Sequence, residues 1–393
     1  MIVESVSTLT GNEYIIFTIV SILFISPFFA KLLRLPTAPV EIFLGAVAAY
    51  FAFLNPTNHI FTLMSEVGFF YLMFLAGTEV NINILLKLDK KIFIKGSVYL
   101  SFIYLLSFFF VKIFDFPILF TFMFSLISVG LIMSLIKEFG QDVKWLKLSM
   151  NIGVLGEFLS IVLLTIVAAL INPMGTTEDF YKSLGFLILF LLLVFILYKV
   201  LKIIFWWHPE WKTFLVPSDE DKDEKDIRLS MSIFFFMIAL MYMLKLEMAF
   251  GAFIAGIFIA TFFEHKKQLP YKLGTFGFGF LIPIFFIHVG STFKVEQLST
   301  DGLVLQAVLV TFIMIFVRVV SSHIFQSILS FKDRILFSLS HSMPLTLLIA
   351  IATLAHEGSA IGDFYYYVFI LASLFEVIIS MVVIMLLGKK SAN

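Results

Sequence analysis

Glu157 stands in the middle of NIGVLGEFLSIVLLTI, Asn151 to Ile166, where every near neighbour is apolar, small or a hydroxyl. An ionised acid at the centre of a membrane helix costs about 2.5–3.5 kcal/mol on insertion scales, so such a residue asks for a functional reason. Counting from the inner end of its run puts Glu157 about ten residues in, roughly 15 Å deep at about 1.5 Å per residue. Arg318, in FIMIFVRVVSSHIF, lies about seven residues, roughly 11 Å, from the same side. Opposite charges at similar depth suggest one site. A carboxylate in a dry site is neutralised by a proton or by a metal ion, and competition between the two gives exchange without further machinery. Arg318 keeps its proton, so its expected role is electrostatic: it pairs with Glu157 when the site is empty and releases it when an ion or proton binds.

Two breaks in apolar text fall at the same level. SLISVGLIMS places Ser125, Ser128 and Gly130 inside the 117–136 run, and SLSHSMPLTLL places Ser340, Ser342, Pro344 and Thr346 inside the 334–355 run. Pro344 removes a backbone donor, and the hydroxyls are able to satisfy freed backbone groups. Val129 with Gly130, and Ser342 with Met343 and Pro344, are therefore expected to interrupt two helices and to present half-helix ends to the membrane interior, where partial charges hold small ions. Ser128 is expected to join Glu157 in binding the proton or a monovalent cation.

Each feature has a plainer reading: Glu157 and Arg318 as a static clamp, Arg318 snorkelling to the cytoplasmic face, Ser128 and Ser342 bonding the preceding turn, and Pro344 as a kink. His288, His323 and His341 read as structural or interfacial. Glu41, Glu66, Glu79, Lys245, Glu247 and Glu376 read as helix-end or packing residues.

The elements that must position these residues follow from composition. Of 393 residues, 61% are apolar and 14% charged, the signature of a polytopic membrane protein. The formal net charge is zero, with no basic stripe, which removes the electrostatic basis for binding nucleic acid. With no cysteine, disulfides and thiolate chemistry are excluded. MIVESVSTLTGNE lacks a basic leader region, so the first apolar run is expected to be a retained helix. No phosphate loop, metal cluster or nucleophile with its base appears, so neither an enzyme nor a cofactor is expected.

Thirteen apolar runs are long enough to cross a bilayer, near 14–30, 39–54, 60–78, 92–112, 117–136, 147–171, 183–205, 228–245, 248–263, 272–291, 303–325, 334–355 and 364–387. With the N-terminus outside and the C-terminus cytoplasmic, all but five of the 27 Lys and Arg residues fall on the inner side. The exceptions are Lys112, Lys182, Lys245, Lys294 and Arg318. The His208 to Arg228 stretch reads as a cytoplasmic linker of mixed charge.

The chain also repeats. FLAGTEVNINIL resembles FIHVGSTFKVEQL, with Gly77 over Gly290 and Leu85 over Leu298 at one spacing, and LGAVAAYF precedes one copy as GAFIAGIFIATF precedes the other. An offset of an odd number of spans makes the copies inverted in the membrane, as in many secondary transporters. The expected organisation is one transmembrane domain. Residues 1–171 form a first repeat, 183–228 a connector helix and linker, and 228–393 a second repeat.

The order EVGFFYLMFLAGTEVNINIL, SLISVGLIMSLIKEFG, NIGVLGEFLSIVLL, GAFIAGIFIATF, FLIPIFFIHVGSTF and SLSHSMPLT resembles the monovalent cation:proton antiporter superfamily. The closer likeness is to the cation:proton antiporter-2 branch, which includes glutathione-gated potassium efflux systems. The resemblance implies an all-α fold of about thirteen helices with an inverted repeat and two crossing discontinuous helices. It also implies a homodimer in the inner cell membrane and exchange of sodium or potassium for protons. The acidic pair of the sixth span falls at Gly156 and Glu157, and the basic residue of the eleventh at Arg318. Gly156, Met343 and Pro344 depart from the family pattern. Electroneutral exchange is the expectation for a single carboxylate. A non-transporting sensor or partner subunit, and a channel-like uniporter, are the alternatives.

Overall fold

The computed structural model describes residues 2–33, 36–80, 89–140, 142–171, 177–208, 210–211, 224–244, 246, 248–263, 266, 268–293 and 299–388. Leu85, Lys87, Lys245, Glu247, Lys294, Leu298, Lys389 and most of the His208 to Arg228 linker lie outside them, as do the side chains of Lys137, Lys182 and Thr346.

Every regular element among the described residues is a helix. In lipid, a helix satisfies its own backbone donors and acceptors, which is why runs rich in Leu, Ile, Phe and Val fold this way. In chain order the helices are α1 (Ile2–Leu33), α2 (Thr37–Tyr50), α3 (His59–Thr78), α4 (Lys90–Ile113), α5 (Phe120–Ser125), α6 (Gly130–Phe139), α7 (Lys144–Ile171) and α8 (Thr177–Trp207). They continue as α9 (Lys225–Met243), α10 (Met248–Phe262), α11 (Leu269–Phe276), α12 (Ile282–Thr292), α13 (Leu303–Ser321), α14 (Phe331–His341), α15 (Leu345–Glu357) and α16 (Asp363–Gly388). A π turn over Gly277–Leu281 joins α11 to α12 as one span, Leu269–Thr292.

All thirteen apolar runs contain helix. Nine described helices are long and apolar enough to cross a membrane, and Thr37–Tyr50, Met248–Phe262 and Leu347–Glu357 are shorter apolar helices. The 117–136 and 334–355 runs are each divided in two. Leu126 to Val129 separate α5 from α6, and Ser342 to Pro344 separate α14 from α15. Large apolar side chains such as Phe17, Leu32 and Trp206 point outward, the arrangement of a protein whose solvent is lipid.

The chain forms two compact units, each assembled from segments of both halves of the sequence. The first is Met1–Ser65, Leu88–Leu163 and Pro283–Asn393; the second is Glu66–Lys87 and Leu164–Ile282. In the first unit, α2 and α12 meet backbone to backbone: a Cβ on Gly45 would collide with the Ile287 carbonyl, and one on Gly290 with the Ile42 carbonyl. In the second, α3 and α10 meet in the same way, Gly77 against Phe253 and Gly256 against Phe74. The two contacts correspond. Gly77 and Phe74 map to Gly290 and Ile287 at the spacing seen in the sequence, while Ile42 and Gly45 map to Phe253 and Gly256 at a spacing two residues shorter. One contact is thus the image of the other.

Candidate functional site

The site lies wholly within the first unit. Its frame is the first break. Leu126 is extended, at φ −60° and ψ 139°, so α5 ends there, and Val129 begins α6. Two residues of α7 hold this segment from one side. Ser160 accepts the Ile127 N–H at 3.2 Å while donating to the Gly156 carbonyl at 2.8 Å. Glu157, at the middle of the 28-residue α7 and 1% exposed, accepts the Val129 N–H on Oε2 at 3.0 Å and the Ser128 hydroxyl on Oε1 at 3.3 Å. A carboxylate at the N-terminus of α6 meets unsatisfied N–H groups and the positive end of the helix dipole. Ser128 and Val129 are thereby brought to Glu157 as the sequence reading expects, and Gly130 opens the helix that follows.

Gly156 has a packing role. A Cβ there would sit 2.8 Å from Cδ1 and 3.0 Å from Cβ of Ile127, so the volume where the resemblance places a second acid holds an isoleucine of the break. One turn earlier, a Cβ on Gly153 would lie 3.4 Å from Cγ2 of Val129 and 3.6 Å from Nε2 of His341. The same face of α7 therefore touches both breaks.

Arg318 corrects the sequence reading in one respect. It is 0% exposed, which sets aside the plainer alternative of snorkelling, but its ion pair is with Glu376, not with Glu157. Nη1 donates to the Met314 carbonyl at 2.6 Å and to Glu376 Oε1 at 3.3 Å, and Nη2 donates to the Leu126 carbonyl. That carbonyl is one of those freed at the C-terminal end of α5, where a cation is favourable. The first break therefore carries the anion at the start of α6 and the cation at the end of α5.

Glu376 was read as a packing residue near a helix end; it is instead central in the 26-residue α16 and 0% exposed. The signal was present in the sequence, because an acid midway along an apolar run asks the same question as Glu157. Glu41, also assigned to packing, is buried and accepts the Ser26 hydroxyl at 3.3 Å.

The second break is satisfied by hydroxyls and by one histidine. Ser342 donates to the Ser338 carbonyl at 3.0 Å, and Ser380 of α16 donates to the Ser342 carbonyl at 3.3 Å. Ser340 lies 2.8 Å from the Ser149 hydroxyl of α7. His341 Nε2 lies 2.9 Å from the Ser149 carbonyl and Nδ1 lies 3.0 Å from the Tyr99 hydroxyl. A carbonyl only accepts, so the Nε2 proton is fixed by this geometry. Met343 and Pro344 are buried in the break itself. Of the other histidines, His288 contacts the Pro56 carbonyl and His323 the Val320 carbonyl.

Among the described residues no Lys, Arg or His forms an ion pair with Glu157, and no group of three or more metal-ligating side chains is gathered. Burying a carboxylate with only neutral donors is costly unless its charge is balanced.

The family described as "Sodium/hydrogen exchanger, transmembrane" matches residues 19–389. A Bacillus subtilis (strain 168) protein named as a candidate Na(+)/H(+) antiporter, YjbQ, is 25% identical over 272 residues, 62% of this chain. The chain spans 40% of that relative's length. Among solved structures, the sodium proton antiporter MjNhaP1 from Methanocaldococcus jannaschii at pH 8 shares the fold, with a TM-score of 0.69, 14% identity and 96% of each chain covered.

Proposed function

This chain belongs to the sodium/hydrogen exchanger family, and on that premise we propose that it is a secondary antiporter exchanging a monovalent cation, sodium or potassium, for protons at Glu157. The observation that carries the reading is the uncompensated carboxylate. Among the described residues, Glu157 is buried at the first break with only the Ser128 hydroxyl and the Val129 N–H as donors, while the Arg318 guanidinium is occupied by Glu376 and by the Met314 and Leu126 carbonyls. Proton and cation then compete for one carboxylate, and the oxygens of the break, Ser128 Oγ among them, complete the shell of a desolvated ion. Arg318 fixes the Leu126 end of the break, where α5 stops, and does not itself shuttle.

Multi-span topology follows from the family and from the apolar helices. The loop charges support an inner-membrane orientation with the N-terminus outside and the C-terminus cytoplasmic. The sequence resemblance supports a homodimer.

The test is reconstitution in liposomes with a dye reporting internal pH, adding sodium or potassium outside, for wild type and Glu157→Gln. Cation-driven proton movement that vanishes in the variant supports the proposal. Absence of movement in both, with folding and both orientations verified, overturns antiport and leaves Glu157 a structural residue.

A further inference from the structure

Arg318 reaches the first break through one nitrogen and is held from behind through another. Nη2 donates to the Leu126 carbonyl, and Nη1 is shared between the Met314 carbonyl and Glu376 Oε1. The pair is not a fork. Among the described residues Arg318 Nε and Glu376 Oε2 are buried without a hydrogen-bond partner, so Glu376 meets the guanidinium through one contact of 3.3 Å while the Met314 and Leu126 carbonyls hold its two terminal nitrogens.

The segment that Arg318 holds is also the segment that Glu157 holds. Leu126, held by Arg318, and Ser128 with Val129, held by Glu157, are two and three residues apart in the chain. Were Glu376 neutral, Arg318 would lose its ion-pair partner among the described residues, while the carboxylate at the other end of the break would remain.

We infer that Glu376 is a positioning residue for exchange, on the reading of Glu157 as the carrier: its charge keeps the Arg318 guanidinium on the Leu126 carbonyl and off the Glu157 carboxylate. The role suits its helix. α16 packs Phe369 against Phe120 of α5 with ring centroids 4.7 Å apart, and it sends Ser380 to the second break. Glu376 thus stands on the element that touches both broken helices. A cation entering the site then meets an uncompensated carboxylate, not one already answered by Arg318.

The experiment measures the cation concentration for half-maximal exchange, and separately the maximal rate, in liposomes containing wild type, Glu376→Gln, Glu376→Asp, Arg318→Gln/Glu376→Gln and Glu157→Gln. Glu376→Gln is expected to raise the half-maximal concentration about tenfold or more, the scale on which an opposite charge within about 4–6 Å alters a carboxylate. The maximal rate is expected to fall much less. Glu376→Asp is expected to move the same constant in the same direction by a smaller amount, and it decides the matter where Glu376→Gln is not recovered as monodisperse protein. The double variant is expected to return the constant toward the wild-type value at a lower maximal rate, because the freed guanidinium is gone. An unchanged constant in the folded single variant, or one that stays raised in the double, overturns the inference. Exchange that persists in Glu157→Gln overturns the carrier reading instead, so the two failures are distinguishable.

Discussion

Arg318 and Glu157 grip the same four-residue break from opposite sides, the guanidinium on the Leu126 carbonyl and the carboxylate on Ser128 and Val129. Each charge faces the half-helix end of opposite polarity, so the pair is organised through the backbone between them and not through direct contact. The two side chains share one short stretch of backbone, so a change at either is expected to be felt at the other.

Replacing Arg318 by Gln leaves Glu376 buried and charged with no counter-charge. Breaking a buried pair from one side costs about 3–5 kcal/mol, whereas removing both charges is far less damaging. Arg318→Gln is expected to lower the thermal unfolding temperature in detergent sharply, and Arg318→Gln/Glu376→Gln to recover most of the loss. Additive losses would mean that the two side chains act independently.

Ser160 gives a similar contrast without any charge. Its oxygen is the partner recorded for the buried Ile127 N–H, and an unsatisfied buried donor costs about 1–3 kcal/mol. Ser160→Ala is expected to destabilise by that amount and to slow exchange. Ser128→Ala, which leaves Glu157 its bond from the Val129 N–H, is expected to keep stability and weaken cation binding. Thermal unfolding set beside the half-maximal cation concentration separates the two effects.

The glycine contacts of the two units make a paired prediction. Gly290→Ala drives a methyl into the Ile42 carbonyl, and Gly77→Ala drives one into the Phe253 carbonyl. Overpacking against backbone costs about 1–3 kcal/mol. Because the contacts are images of one another, the two variants are expected to be destabilised comparably in thermal unfolding. A neutral outcome at either would break the correspondence.

What was legible in the sequence is what depends on one residue at a time. An ionisable group or a proline inside apolar text stands out, so Glu157, Arg318 and the two helix breaks are legible, whereas Glu376, equally buried and midway along its helix, reads as packing. The glycine spacing pointed to a repeat for the same reason: backbone contact needs a particular residue type at a particular position. Pairing was not legible. Whether Arg318 meets Glu157 or Glu376 depends on the rotation of α7, α13 and α16 about their axes, and similar depth does not fix rotation. Gly156 was misleading because it read as a missing acid, whereas its function is to admit Ile127, a residue remote in sequence. The two units were hidden as well, since each draws on both halves of the chain.

On the proposed exchange at Glu157, a count of the charges in this core leads to an expected stoichiometry. Glu157, Arg318 and Glu376 sum to one negative charge when all are ionised, and a single proton or a single monovalent cation brings the sum to zero. The loaded core is then neutral in both directions of the cycle, so the exchange rate of the wild type is expected to be independent of membrane potential set by an ionophore. Adding a carboxylate should change this. Gly156→Asp alone is expected to destabilise the protein, because its Cβ meets Ile127 at 2.8 Å, at a cost of about 1–3 kcal/mol. Gly156→Asp/Ile127→Ala removes the contacts with Cδ1 and Cγ2, leaves the 3.0 Å contact with the Cβ of residue 127, and places a second acid beside the first. The core then carries two negative charges, one cation no longer balances it, and exchange by the double variant is expected to become sensitive to membrane potential. Potential-dependent exchange in the wild type would show that a further charge moves with the site and would overturn the count.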